Sequence, residues 1–251
     1  MLKVEVDGAV LQVTLNRPDV RNALNEQLIG NLTETFRSIS SKVRVVVLAG
    51  EGPAFCAGAD LAWMKQTAAY SEEENYRDAL RVAHMFQSLV ECPAVVISRV
   101  HGPAFGGGAG LVAASDIAIA TPEAKFAFSE VRIGLVPATI SPVVLSKIGA
   151  SHARALFTTG EAFSSLRALS IGLIHELVSQ DEIDQTVASK ISGVLSSAPG
   201  AVTIAKKLGS ESPLSVEDAA RLLASVRASE EAREGFSSFL EKRPAAYVIQ
   251  K

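Results

Sequence analysis

Three groups of residues in this chain could do chemistry by type and spacing. The first is Val100-His101-Gly102-Pro103-Ala104-Phe105-Gly106-Gly107-Gly108-Ala109-Gly110, with five glycines in the nine residues from Gly102. A ligand can reach the bare backbone of such a run, and amides that open a helix carry partial positive charge. The run suits developing negative charge; on its glycines alone it reads equally well as a tight strand-to-helix crossover. The second group is Gly50-Glu51-Gly52-Pro53-Ala54-Phe55-Cys56-Ala57-Gly58-Ala59-Asp60, again after a strand-like run and before a helical one. Loops at neighbouring strand ends of one sheet can offer two N–H donors to a single oxygen. The third is Glu130, between Phe126-Ala127-Phe128 and Val131. Burial raises a carboxyl pKa and makes it a proton shuttle; the alternative is an ion-pair partner for Arg132 or another cation on a sheet edge.

Other site chemistries fail on the letters. A dinucleotide fingerprint counted from Gly106 and Gly108 needs its third glycine where Leu111 stands. A phosphate loop needs Lys then Ser or Thr after the last glycine, and no G-x-S-x-G elbow occurs. Cys56 and Cys92 are too few for a disulfide framework or a zinc site, so free thiols are expected. His84 falls on a Met- and Leu-rich helix and reads as a packed residue rather than a base. Trp63 reads as core or pocket wall.

The elements that must hold these groups are legible in the patterning. Residues 2–6 and 10–15 alternate around Asp7-Gly8 as a hairpin. Leu24, Leu28, Leu32 and Phe36 share one face of a helix ending near Ser40. Arg44 to Ala49 and Ala94 to Ile97 are buried strands, and a helix between strands implies a partly parallel sheet. Residues 71–91 form a helix capped by Ser71, with Glu72, Glu73 and Glu74 at its positive end. The central glycines lead into a helix starting near Leu111; short strands follow at 116–120 and 125–128. Ser141, Ser151 and Ser164 open helices, with Ser141 as a cap, and Gly172 closes the last. A strand at 174–178 and a helix from Asp181 complete a core of residues 1–197. Helices at 201–209, 215–232 and 235–241 make a helical region, residues 198–251.

Composition sets bounds. With 48% hydrophobic and 20% charged residues, the chain is a soluble globular protein with an ample core. A net charge of −3 without a basic run argues against nucleic acid. No membrane-length apolar span or signal-peptide core appears, so a cytoplasmic protein without a membrane partner is expected.

Along nearly its whole length the chain resembles the enoyl-CoA hydratase/isomerase, or crotonase, superfamily. Leu15-Asn16-Arg17-Pro18, Asn22-Ala23-Leu24-Asn25, Phe55-Cys56-Ala57-Gly58-Ala59-Asp60, Gly106-Gly107-Gly108 and Ser129-Glu130 with Gly134-Leu135 and Pro137 occur in the family's order. The resemblance implies an α/β fold, a spiral of repeated β-β-α units with a C-terminal helical region, and a homotrimer or a hexamer made of two trimers. It implies an acyl-CoA substrate, no metal and no separate cofactor, CoA being part of the substrate. It assigns the oxyanion amides to Ala59 and Gly107, the proton shuttle to Glu130, the adenine pocket to main chain around Ala57 and Leu61, and a phosphate contact to Lys242. Ala62 stands where the family usually has a basic residue. Two-acid hydratases of the family carry their first glutamate where this chain has Gly110, one turn beyond Gly107. The volume there is expected to be empty and to border the acyl group. The wording of residues 105–111, 129–132 and 137–142 looks most like the bacterial methylglutaconyl-CoA hydratase-like branch, which implies a branched or carboxylated acyl group. The implied activity is enoyl-CoA hydration through a stabilised enolate. The alternatives are a Δ3,Δ2-enoyl-CoA isomerase using one glutamate and a non-catalytic acyl-CoA-binding protein.

Overall fold

A computed structural model describes residues 1–210 and 213–249. The chain opens with the hairpin of β1 (Leu2–Asp7) and β2 (Val10–Leu15), paired antiparallel from Leu2 opposite Leu15 to Asp7 opposite Val10. Gly8 makes the turn at φ 60°. Next come α1 (Glu26–Arg37), β3 (Val45–Gly50), α2 (Leu61–Thr67) and α3 (Glu72–Val90). They are followed by β4 (Val95–Val100), β5 (Ala104–Phe105), α4 (Gly107–Ala114), β6 (Ile117–Ala120), β7 (Lys125–Ala127) and α5 (Ser141–Thr159). The last elements are β8 (Ala162–Ser164), α6 (Ser165–Ser170), β9 (Glu176–Leu177), α7 (Ile183–Leu195), α8 (Pro199–Ser210), α9 (Val216–Arg227) and α10 (Glu230–Leu240).

Two sheets result. The larger runs β1-β2-β3-β4-β6-β9 and is parallel from β2 onward; the smaller runs β5-β7-β8. Successive turns of chain give one strand to each sheet and then a helix: β4, β5, α4, then β6, β7, α5. This repetition is the expected β-β-α spiral. Strands covered on both faces read as continuous apolar runs, as in the Val45-Val46-Val47-Leu48 of β3, all buried. The core between the layers holds Leu28, Leu32, Leu48, Phe86, Val96, Leu111, Phe126 and Phe128. Phe128 meets Phe157 edge-on at 5.2 Å between ring centroids.

Five expectations change in detail. Helix α4 begins at Gly107, four residues before Leu111, because Gly106 takes the turn and acts as its N-cap. Ser141 lies inside α5; Ile140 is the cap, and the Ser141 hydroxyl donates to Ala138 O at 2.9 Å. The segment expected as one helix over 215–232 ends at Arg227, since the Ser229 side chain accepts from Ala232 N–H and starts α10. The two helices expected from Ser141 and Ser151 run on as α5, kinked at Gly149, where φ is 73°. The chain divides into units Met1–Val187 and Ala188–Lys251, the division falling inside α7, whereas the sequence placed it after residue 197. Within the second unit, Ile249 N–H donates to Leu195 O at 3.1 Å, and Ile191, Leu195 and Ala245 are buried.

Candidate active site

The central glycine run is delivered by β4 and β5. Gly106 sits at φ 50°, ψ −119°, backbone that a residue with a Cβ adopts only under strain. Its N–H donates to Ala127 O at 2.8 Å. Gly107 is then the first residue of α4, and its N–H meets no acceptor among the described residues, as the opening turn of a helix dictates. In the other loop, Leu24 N–H donates to Gly58 O at 2.7 Å and Asp60 N–H donates to Leu24 O at 2.8 Å. This parallel bridge of Leu24 with Ala59 turns the N–H of Ala59 to the opposite side, where it also has no acceptor among the described residues. The loops touch. Phe105 N–H donates to Cys56 O at 2.9 Å, and a Cβ on Gly58 would stand 2.9 Å from Phe105 O.

Glu130 joins these two amides. It follows β7 and opens a 3-10 turn, Glu130–Ile133. Its Oε1 lies 3.2 Å from where a Cβ on Gly106 would be, so the carboxyl rests on the residue before the Gly107 amide. The Oε2 atom is buried and has no partner. Arg132 points elsewhere, its Nε donating to Gly160 O at 2.8 Å, which removes the ion-pair reading. Burial raises the Glu130 pKa, with its own main chain opposing weakly. Glu123 is exposed, and the Thr121 hydroxyl holds its carboxyl below the usual range, so it offers no comparable base.

The empty volume expected at Gly110 is not there. A Cβ on Gly110 would stand 2.5 Å from Ile140 Cγ2 and 2.9 Å from Phe86 Cε1, both in side chains only 2% exposed. A Cβ on Gly107 would meet Leu24 Cδ1 at 2.7 Å. Leu24, Phe86 and Ile140 thus pack the Gly107–Gly110 face of α4, and Gly110 supports this wall instead of bordering an acyl cavity. The sequence reading assigned Phe86 and Ile140 no role and placed Leu24 on the face of α1, which begins only at Glu26; the glycines opposite the three were the available signal.

The remaining candidates separate. Ala57 is half-buried and its N–H donates to Arg21 O at 2.9 Å; Leu61 opens α2 with its side chain 82% exposed. Lys242 belongs to the second unit, exposed just beyond α10 at φ 54°. His84 lines a groove of about 510 Å³ with Glu26, Gly30, Arg37 and Arg81, apart from the glycine loops. Trp63 packs on the core with its indole N–H buried and unpartnered.

A β-β-α spiral with two unpaired amides beside a half-buried carboxyl suits a reaction that holds an oxyanion while a proton moves next to it. The chain belongs to the enoyl-CoA hydratase/isomerase family, whose profile matches residues 5–250. It is similar to the crystal structure of an enoyl-CoA hydratase from Shewanella pealeana, with 35% identity and a TM-score of 0.91 over 98% of this chain and 95% of that one. The enoyl-CoA hydratase of Mycobacterium smegmatis superposes with a TM-score of 0.90 at 34% identity, covering 98% of each chain. A Thermus thermophilus protein provisionally named enoyl-CoA hydratase is 33% identical over 98% of this chain and 100% of its own length.

Proposed function

We propose that this protein is an enoyl-CoA hydratase in which one carboxyl, Glu130, serves both proton transfers. The observation that carries the reading is the Glu130 carboxyl resting on Gly106, beside the unpaired Gly107 amide. The thioester oxygen accepts from the Ala59 and Gly107 N–H groups, which polarises the Cα=Cβ bond. Water adds to Cβ as its proton passes to the carboxylate, and the enolate carbon then takes that proton at Cα. Two donors aimed at an oxygen that gains charge are each worth about 3 to 4 kcal/mol of barrier. A branched or carboxylated acyl group rests on the sequence wording alone, since Gly110 gives it no room. The homotrimeric or hexameric assembly and the Lys242 phosphate contact accompany the reading as the resemblance implies, and the cytoplasmic setting as the sequence patterning suggests.

A second reading has its own observation. With Ile140 and Phe86 filling the second-acid position, no second carboxyl stands there among the described residues to hold water, and Δ3,Δ2-isomerisation needs only one base. Incubation with matched 2-enoyl and 3-enoyl CoA thioesters in heavy water, with products identified by mass, separates them. The hydratase yields a 3-hydroxyacyl product 20 mass units heavier, roughly one D₂O, before exchange of the hydroxyl deuteron. Double-bond migration without added water assigns the isomerase, and saturable binding without turnover leaves only an acyl-CoA-binding protein.

A further inference from the structure

The Ala59 amide comes from a short loop segment, so something must fix its direction. Two hydrogen bonds from and to Leu24 pin the residues on either side of it. The next residue, Asp60, is buried, and its carboxylate is divided between two tasks. Oδ1 accepts from Ala62 N–H at 2.8 Å and Trp63 N–H at 3.3 Å, capping α2; Oδ2 accepts from Arg17 Nη2 at 2.8 Å. Arg17 also donates through Nη1 to Ala23 O and through its main-chain N–H to Asn22 Oδ1 at 2.8 Å. Asn22 is fully buried in left-handed backbone, φ 56°, and its amide donates to Glu51 O and Ala54 O, each at 2.8 Å. The network therefore ties the segment after β2 to both ends of the loop that presents Ala59.

We infer that Arg17 and Asp60 are positioning residues for the reaction, their ion pair holding the Ala59 N–H in line with the thioester oxygen. Neither touches the reacting atoms. Arg17 suits the task because its planar fork reaches a carboxylate and a carbonyl at once from one rigid group, which a lysine ammonium cannot match in geometry. The Asp60 carboxylate stays ionised: burial pushes its pKa up, but Arg17 and the two capping amides together outweigh it. The pair remains charged across the working range of a raised Glu130.

The inference rests on Ala59 and Gly107 being the oxyanion donors, and one probe tests both. An aryl-conjugated enoyl-CoA thioester absorbs further to the red when its carbonyl is polarised by hydrogen bonds, so the bound spectrum reports the amides directly. The variants are Arg17→Lys and the double variant Arg17→Met with Asp60→Asn. The double variant leaves no lone buried charge and keeps a side chain that caps a helix. The expected result is a red shift with the wild-type protein that is lost in the double variant and only partly kept by Arg17→Lys, which retains the charge opposite Asp60 but not the fork. In the double variant kcat falls about 10- to 100-fold, in the range of a weakened oxyanion donor, while KM changes by less than about threefold. No red shift in the wild type overturns the oxyanion reading itself. A wild-type shift that the double variant keeps, with kcat intact, overturns the positioning role alone. Loss of the helical circular-dichroism signal in the double variant assigns the pair to folding and also overturns it.

Discussion

Glu130 bears two opposing demands, and their conflict is measurable. A carboxyl whose folded pKa lies above its unfolded value binds its proton more tightly in the fold. The stability it adds is full below about pH 4.3 and is lost as pH rises through the raised folded value. At neutral pH the ionised group therefore works against the fold while serving as base. Glu130→Gln should hold or raise the melting temperature at pH 7 and lower turnover about 10²- to 10⁴-fold; calorimetry beside steady-state rates checks both. Wild-type kcat/KM should rise with pH through the same raised value. The sequence pointed to Glu130 by its apolar neighbours and to a pair of loop amides by its glycines, which the family resemblance assigned to Ala59 and Gly107. It could not show that Arg132 turns away to Gly160 O, or that Oε2 lacks a partner. Those facts depend on rotamers, which the order of residues does not encode.

Helix α4 shows how close packing dictates glycine. A Cβ on Gly108 would stand 2.2 Å from Cys56 O, and one on Gly110 would stand 2.5 Å from Ile140 Cγ2. Gly110→Glu should therefore fail to install a second acid. Overpacking costs about 1 to 3 kcal/mol and an unpaired buried carboxylate adds to it. The expected outcome is a lower melting temperature with no gain in hydration of short straight-chain enoyl-CoA. Such a gain would contradict the packed wall. The other end of the helix depends on Lys147, whose Nζ donates to Ser115 O at 2.6 Å. Burial pushes this amine down to about 8, and Asp116 opposes the shift. A folded pKa below the unfolded value of about 10.4 means that the stability from Lys147 grows as pH rises between the two. Wild type compared with Lys147→Met by denaturant unfolding should show a difference that is flat below about pH 8. It should widen in favour of wild type up to about pH 10. The periodicity of α1 and α3 was legible because one face of each meets the core. The start of α4 was not, because a helix opening on glycines carries no propensity signal and is fixed by contacts distant in sequence. The Ser229 break between α9 and α10 was legible in principle: Ser229 before Glu230 and Glu231 repeats the cap and acidic first turn of Ser71 before Glu72 and Glu73.

For the molecule as a whole, a partly parallel sheet was legible as strands alternating with helices, while the order β2-β3-β4-β6-β9 comes from the structure; the family profile spans residues 5–250. The second small sheet was not, since β5 and β8 are only two and three residues long and owe their existence to β7. The site sits where the two loop systems converge on this small sheet, so a bound thioester should stabilise the fold by mass action. At about 100 times its dissociation constant an acyl-CoA should add about 2.7 kcal/mol, and nicotinamide dinucleotides should add nothing. Thermal shifts with the two ligands check this, and stabilisation by NAD alone would reverse the reading. The central claim, that Glu130 moves a proton at the carbon beside an amide-held thioester, is tested most directly by isotope. An enoyl-CoA substrate is turned over in heavy water and deuterium at Cα is followed by mass spectrometry for wild type and Glu130→Gln. The account predicts one deuteron placed at Cα by the wild-type protein and, at equal thioester occupancy, almost none by the variant. Uptake by Glu130→Gln at the wild-type rate would contradict it.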